Sequence, residues 1–227
     1  MTKQMFIASA VALAASSAAS AAIVAGWTMT TAVPAATTGS NYTYGAADTG
    51  DATAGTSLSG FHALAATTWS SPSGNGSQFS LSANNWSVGD YYQVTLSTVG
   101  FSDIYLAWDQ TRSSTGPSSF RVDMSTDGTN FTTILASYSV IQAGLAGTNT
   151  LAWSIANGVQ SAFTTTVASI AGADNQSSLT FRFVNLSTVA TGGTNRIDNI
   201  VVSSGPIPAP GALALLGLAG LAARRRR

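Results

Sequence analysis

Apolar residues recur at every second position in several stretches of this chain, and that period suits strands rather than helices. Tyr92, Val94 and Leu96 share one face while Gln93, Thr95 and Ser97 share the other. Ile104, Leu106 and Trp108 alternate with Tyr105 and Ala107, and Phe120, Val122 and Met124 alternate with Arg121 and Asp123. Leu179, Phe181 and Phe183 alternate with Thr180, Arg182 and Val184. One apolar and one polar face is the pattern of an antiparallel sheet covered on one side. Turn residues punctuate these runs. Asp127-Gly128 between two alternating stretches reads as a hairpin, and Gly116-Pro117 and Gly192-Gly193 end loops. The pattern predicts strands near 24–31, 61–68, 78–82, 90–98, 102–109, 118–125, 130–138, 148–154, 161–168, 178–186 and 196–203. Short strands at such spacing predict an all-β chain, an antiparallel two-sheet sandwich of jelly-roll type. The stretch from Ala35 to Ser59 is poor in bulky residues and reads as loop or weak edge strand.

The two ends follow a different logic. Met5 to Ala15 is apolar behind Lys3, and Ala19-Ser20-Ala21 fits the small-x-small rule for signal peptidase, so residues 1–21 read as a signal peptide cut after Ala21. At the other end Pro208-Ala209-Pro210 precedes a run of Gly, Ala and Leu over 211–223, closed by Arg224-Arg225-Arg226-Arg227. Ala and Leu favour helix, and a preceding proline suits a helix start. Thirteen helical residues reach about 20 Å, short of the roughly 30 Å hydrocarbon core, and snorkelling arginine stems recover part of the gap. Four arginines resist translocation, which places 224–227 on the cytoplasmic side and the bulk of the chain outside. The expected organisation is therefore a signal peptide (1–21), a sandwich (22–203), a tether carrying Pro208-Ala209-Pro210 (204–210), a membrane helix (211–223) and a cationic end (224–227).

That tail resembles a PEP-CTERM sorting signal, in which a Pro-Glu-Pro motif precedes a short membrane helix and an Arg-rich end. Ala209 stands here where the family has Glu. The resemblance implies an exported cell-surface or extracellular-matrix protein, anchored at least transiently in the membrane, whose tail is processed by an exosortase-type transpeptidase. It covers about a tenth of the chain.

Between the ends the charge is one-sided. Four arginines (Arg112, Arg121, Arg182, Arg196) face nine acids, all of them Asp, which leaves residues 22–206 at −5 with no Lys and no Glu. A nucleic-acid partner needs a basic footprint, and none exists. Cysteine is absent, which excludes thiolate metal sites and a cysteine nucleophile. His62 is the one histidine, in Phe61-His62-Ala63-Leu64 with no nucleophile motif nearby, and it reads as a satisfied or surface side chain. Asp103, Asp109, Asp123 and Asp198 supply carboxylates from which a hydrolase would need a facing pair. Most Asp residues sit beside turn formers, and no catalytic residue is assigned.

Residues 86–202 are similar to galactose-binding-like jelly rolls of secreted bacterial proteins. The similarity runs through Trp86-Ser87-Val88-Gly89-Asp90-Tyr91-Tyr92, Ser118 to Phe131, and Thr194 to Val202. It implies a β-sandwich in which an Asp/Asn near the last strand supports a structural calcium ion; the matching residues are Asp198 and Asn199. Asp48, Asp51 and Asp90 are further oxygen donors of the kind calcium takes. Trp69, beside Ser70 to Gly76, is the expected exposed ring for a sugar face, while Trp86 and Trp108 fall in strand-like runs and read as core. Three functions follow from these readings: a non-enzymatic surface or matrix protein, a displayed carbohydrate-binding module with an extracellular polysaccharide partner, and a secreted hydrolase.

Overall fold

The computed structural model describes residues 21–206, and these build twelve strands in two antiparallel sheets. The first strands are β1 (Ala22–Trp27), β2 (Asn41–Gly45), β3 (Ser57–Phe61), β4 (Trp69–Ser70), β5 (Leu81–Ala83) and β6 (Tyr91–Leu96). β7 (Ile104–Arg112), β8 (Ser119–Ser125), β9 (Thr132–Ser139), β10 (Thr164–Val167), β11 (Leu179–Asn185) and β12 (Asn195–Ser204) complete the set. Sheet 1 runs β10-β7-β12-β5-β4, with β1 paired to the other end of β12; sheet 2 runs β2-β3-β6-β11-β8-β9. Apart from the consecutive pairs β2–β3, β4–β5 and β8–β9, neighbours in the sheets are not consecutive in sequence, as in a two-sheet sandwich with crossing connections. The signal and anchor segments read from the sequence lie almost wholly outside the described residues. Among the described residues no helix is long and apolar enough to cross a membrane.

The alternation predicts the sandwich core correctly. Tyr92, Val94, Leu106, Trp108, Phe120, Val122, Phe181 and Phe183 are all fully buried. They close on one another across the sheets: the Trp108 ring lies 4.9 Å from Phe183 and 5.0 Å from Tyr138. Trp86 and Trp108 belong to this core, as expected. The Asp127-Gly128 hairpin joins β8 to β9, with Asp127 accepting bonds from the Thr129 and Asn130 amides and the Ser125 hydroxyl.

The segment 35–59, read as loop or weak edge strand, contains the edge strand β2 and most of β3. Two strand readings are corrected. The strand expected at 61–68 ends at Phe61, and the chain turns at Leu64–Thr67, where the Thr67 amide donates to the Leu64 carbonyl; the inward positions of β3 are Leu58 and Gly60, opposite Val94 and Tyr92. The stretch 148–154 forms no strand; it belongs to an excursion between β9 and β10 that carries two short 3-10 turns, Ile155–Asn157 and Ser161–Phe163.

Gly60 and Trp69 explain why so small a residue sits inside. A Cβ on Gly60 would lie 2.2 Å from the indole Cη2 of Trp69. Trp69, carried by sheet 1, therefore fills a slot in sheet 2 that only glycine leaves open. It is 1% exposed, donates its Nε1 proton to the Gly39 carbonyl at 2.9 Å and stacks on Tyr42. The expectation of an exposed sugar-binding ring at Trp69 is overturned, because the indole has a partner surface on the opposite sheet.

Candidate functional site

The residues singled out from the sequence do not converge on one site. His62 is buried, with Nδ1 3.2 Å from Thr67 Oγ1 and 3.4 Å from Asp90 Oδ2, and its Nε2 has no hydrogen-bond partner. Trp69 and Trp86 pack on the ring at 4.8 and 4.2 Å. Burial holds its pKa down at about 4, so the imidazole is neutral. Among the described residues its ring meets Thr67 and Asp90, with no serine hydroxyl in hydrogen-bond reach.

Asp198 and Asn199 lie in a bulge of β12, where the register with β7 slips between Asp198 and Val201 and Asn199 takes φ 46°. The bulge turns Asp198 into a closed polar knot. Its Oδ2 accepts from the Asn75 amide and Ser77 Oγ, both at 2.7 Å, and its Oδ1 from the Asn199 amide at 2.8 Å. Asp109, the cross-strand neighbour on β7, accepts from Asn75 Nδ2 at 2.8 Å, Asn199 Nδ2 at 2.7 Å and Thr164 Oγ1. Burial raises both carboxyls, that of Asp198 to about 7. The neighbouring Asp109 charge adds to the burial that raises Asp198. The donors meeting these oxygens come from the protein itself, and among the described residues no group of three or more His, Cys, Asp or Glu is placed to hold a metal. Asp103 and Asp123 lie apart from this pair: Asp103 accepts from Ser169 Oγ, and Asp123 pairs with Arg121.

The side chains that are both exposed and organised are on the outer face of sheet 2. Here the polar positions of β6, β11 and β8 line up as Gln93, Arg182 and Asp123, and β3 adds Phe61 beside Tyr91. The Phe61 and Tyr91 rings stack at 5.0 Å. The Arg182 guanidinium carbon lies 4.4 Å from the Tyr91 ring centre and 3.7 Å from that of Phe131. Arg182 Nε also donates to Gln93 Oε1 at 2.8 Å, which fixes the plane of the fork. The hairpin turn at Asp127 folds Phe131 back over the sheet. The result is a strip, Phe61–Tyr91–Arg182–Phe131, drawn from β3, β6, β11 and the turn before β9, with every member half-buried. Next to it Arg121 Nε meets Asp123 at 2.9 Å, and Thr133 Oγ1 donates to the same carboxylate at 2.7 Å.

Sequence reading missed this face. Alternation shows that Gln93 and Arg182 point away from the core, yet the strip depends on strand order, which brings together residues 61, 91, 131 and 182. Tyr91 next to Tyr92 was the one visible sign, since adjacent aromatics in a strand place one ring outside.

No family model matches the chain, and no curated protein matches it. Among solved structures it is similar to the K3 cleaved adhesin domain of Lys-gingipain from Porphyromonas gingivalis, at 16% identity and a TM-score of 0.43, over 82% of this chain and 99% of that one. It is also similar to the CBM22-1–GH10 modules of Clostridium thermocellum xylanase 10B, complexed with xylohexaose, at 14% identity and a TM-score of 0.42, over 83% of this chain and 29% of that one. A third is the CBM22-1 xylan-binding domain of Paenibacillus barcinonensis Xyn10C, at 10% identity and a TM-score of 0.36, over 77% of this chain and 99% of that one. The assignment of a two-sheet antiparallel sandwich rests on the strand pairing of this chain.

Proposed function

We propose that this chain is a non-enzymatic, exported surface protein whose sandwich binds saccharide on the outer face of sheet 2. The observation that carries the reading is the half-exposed strip Phe61–Tyr91–Arg182–Phe131 with Gln93 beside it. Sugars offer apolar C–H faces and a dense rim of hydroxyls. Aromatic rings match the first, and fixed guanidinium, amide and carboxylate groups match the second. Phe61 and Phe131 end the strip, each with one face against its neighbour, and an incoming ring can extend the stack at either end. A pre-formed platform loses little side-chain entropy on binding.

Catalysis has no support of equal weight. The buried Asp109–Asp198 knot is closed to substrate at 2% and 0% exposure. Asp123 is engaged by Arg121 and Thr133.

In this reading the ends deliver and hold the module. Ala19 and Ala21 direct signal cleavage, and Pro208-Ala209-Pro210, the 211–223 helix and Arg224–Arg227 form a sorting tail for an exosortase-type enzyme. β12 ends at Ser204, in sheet 1. A glycan array probed with the wild-type chain and with Phe131→Ala tests the binding reading. Retention of neutral glycans by the wild type and their loss in the variant is expected; an array without a single hit would contradict it. Mass spectrometry of the two mature ends tests the sorting reading: cleavage after Ala21 and a modified or trimmed tail are expected, and intact termini on surface material would contradict it.

A further inference from the structure

A second concave surface lies away from the strip, where the end of β7 meets the start of β8 and the end of β9. It is a groove of about 470 Å³, lined by Arg112, Ser118, Ser119, Ser139 and Gln142 with an apolar wall of Val140, Ile141 and Leu145. That volume is in the range of small-ligand sites.

Arg112 is held in an unusual way. Its Nε donates to the Val140 carbonyl at 2.9 Å, and its Nη1 to the carbonyls of Ser113 and Ser114 at 3.1 and 3.0 Å. Three backbone dipoles fix the fork, and Nη2 is left without a protein acceptor. The ion pairs among the described residues are His62–Asp90 and Arg121–Asp123, so Arg112 has no carboxylate partner there. This is an uncompensated, pre-oriented cation in a region whose net charge is −5. Ser118, Ser119, Ser139 and Gln142 line the same groove, and their side chains enter none of the protein's own hydrogen bonds among the described residues. The excursion that supplies Gln142, residues 140–163, carries no charged side chain.

We infer that this groove is a binding site for a carboxylate-bearing saccharide, a uronic acid unit. The carboxylate meets Arg112 Nη2, the ring hydroxyls meet Ser118, Ser119, Ser139 and Gln142, and an apolar ring face lies on Val140, Ile141 and Leu145. A buried or half-buried guanidinium already anchored by carbonyls gives a charge-assisted bond without the entropy cost of ordering a free arginine. The inference extends the saccharide-binding reading to a second, chemically selective site and does not use the strip.

Isothermal titration of the full chain with tetragalacturonate, its fully methyl-esterified counterpart and a sulfated neutral tetrasaccharide tests it. Tetragalacturonate binds and the ester binds at least ten-fold more weakly, because esterification removes the charge while keeping the ring. Arg112→Gln weakens tetragalacturonate binding by about ten- to a hundred-fold, the range for a hydrogen bond to a charged group. Gln142→Ala, whose side chain enters no hydrogen bond among the described residues, weakens it by a smaller factor. Neutral-glycan retention on the array is a separate result bearing on the strip alone. Equal binding of acid and ester, equal binding of the sulfated probe, or undiminished binding by Arg112→Gln would each overturn the inference.

Discussion

The guanidinium of Arg182 is gripped between the Tyr91 ring, 4.4 Å away, and the Phe131 ring, 3.7 Å away. These residues come from β11, from β6 and from the turn before β9, so the contact ties three segments of sheet 2 on its outer side. A cation between two rings is worth about 0.5–2 kcal/mol depending on how well water is excluded. Arg182→Lys keeps the charge but loses the planar stack. It is expected to lower stability by about 1 kcal/mol in urea melts and to weaken glycan retention, while Arg182→Ala weakens it further. Unchanged retention in both variants would separate the grip from binding.

Gly60 and Trp69 are expected to behave as one unit. Trp69→Ala removes a fully buried indole and should cost about 3–5 kcal/mol. Gly60→Ala drives a Cβ into that ring and should cost about 1–3 kcal/mol by overpacking. In the Trp69→Ala background the added methyl has room, and the Gly60→Ala cost should fall towards zero. A double-mutant cycle by denaturant melts reads this coupling. Additive costs would contradict the slot.

His62 gives a pH signature of one sign. Its folded pKa is held at about 4 by burial against 6.5 ordinarily, so between those values the unfolded chain binds more protons than the folded one. Stability from this group is full above about pH 6.5 and is lost as pH falls towards 4. Relative to His62→Gln, the wild type should therefore lose stability on acidification through that window, measured as the gap between the two midpoints at pH 7 and pH 4.5. A gap independent of pH would contradict a neutral, buried imidazole.

Asp198 gives the opposite sign. Its folded pKa is raised to about 7 from 3.8, so the folded chain binds more protons in that window. Its contribution is greatest at about pH 4 and is lost as pH rises through 7. The stability gap between wild type and Asp198→Asn should narrow from pH 4.5 to pH 8. Over about pH 4–6.5 the two residues oppose each other, and the wild-type profile should be flatter than that of either variant.

The sandwich was legible because its core obeys a period of two over long strands, as with Phe120–Val122 and Phe181–Phe183. β2 was legible only as a weak edge strand and the start of β3 was not, because their inward positions are Leu58, Gly60 and the edge tyrosines Tyr42 and Tyr44 rather than a run of branched residues. Trp69 was misread as exposed because its Ser/Gly-rich flank signals a loop, whereas its burial depends on a glycine nine positions earlier in the chain. Asp198 and Asn199 are read from the sequence as calcium donors; their hydrogen-bond partners in the fold, Asn75, Ser77 and Asp109, come from elsewhere in the chain and no local spacing reveals them. The outer strip likewise depends on which strands are neighbours.

The outer-face account is tested most directly by mapping amide and arginine Nε shifts of the labelled protein during titration with a neutral glycan retained on the array. Shifts concentrated at Phe61, Tyr91, Gln93, Phe131 and Arg182 are predicted, with Asp109 and Asp198 unmoved. Saturable binding whose shifts fall elsewhere and spare Arg182 and Tyr91 would contradict it.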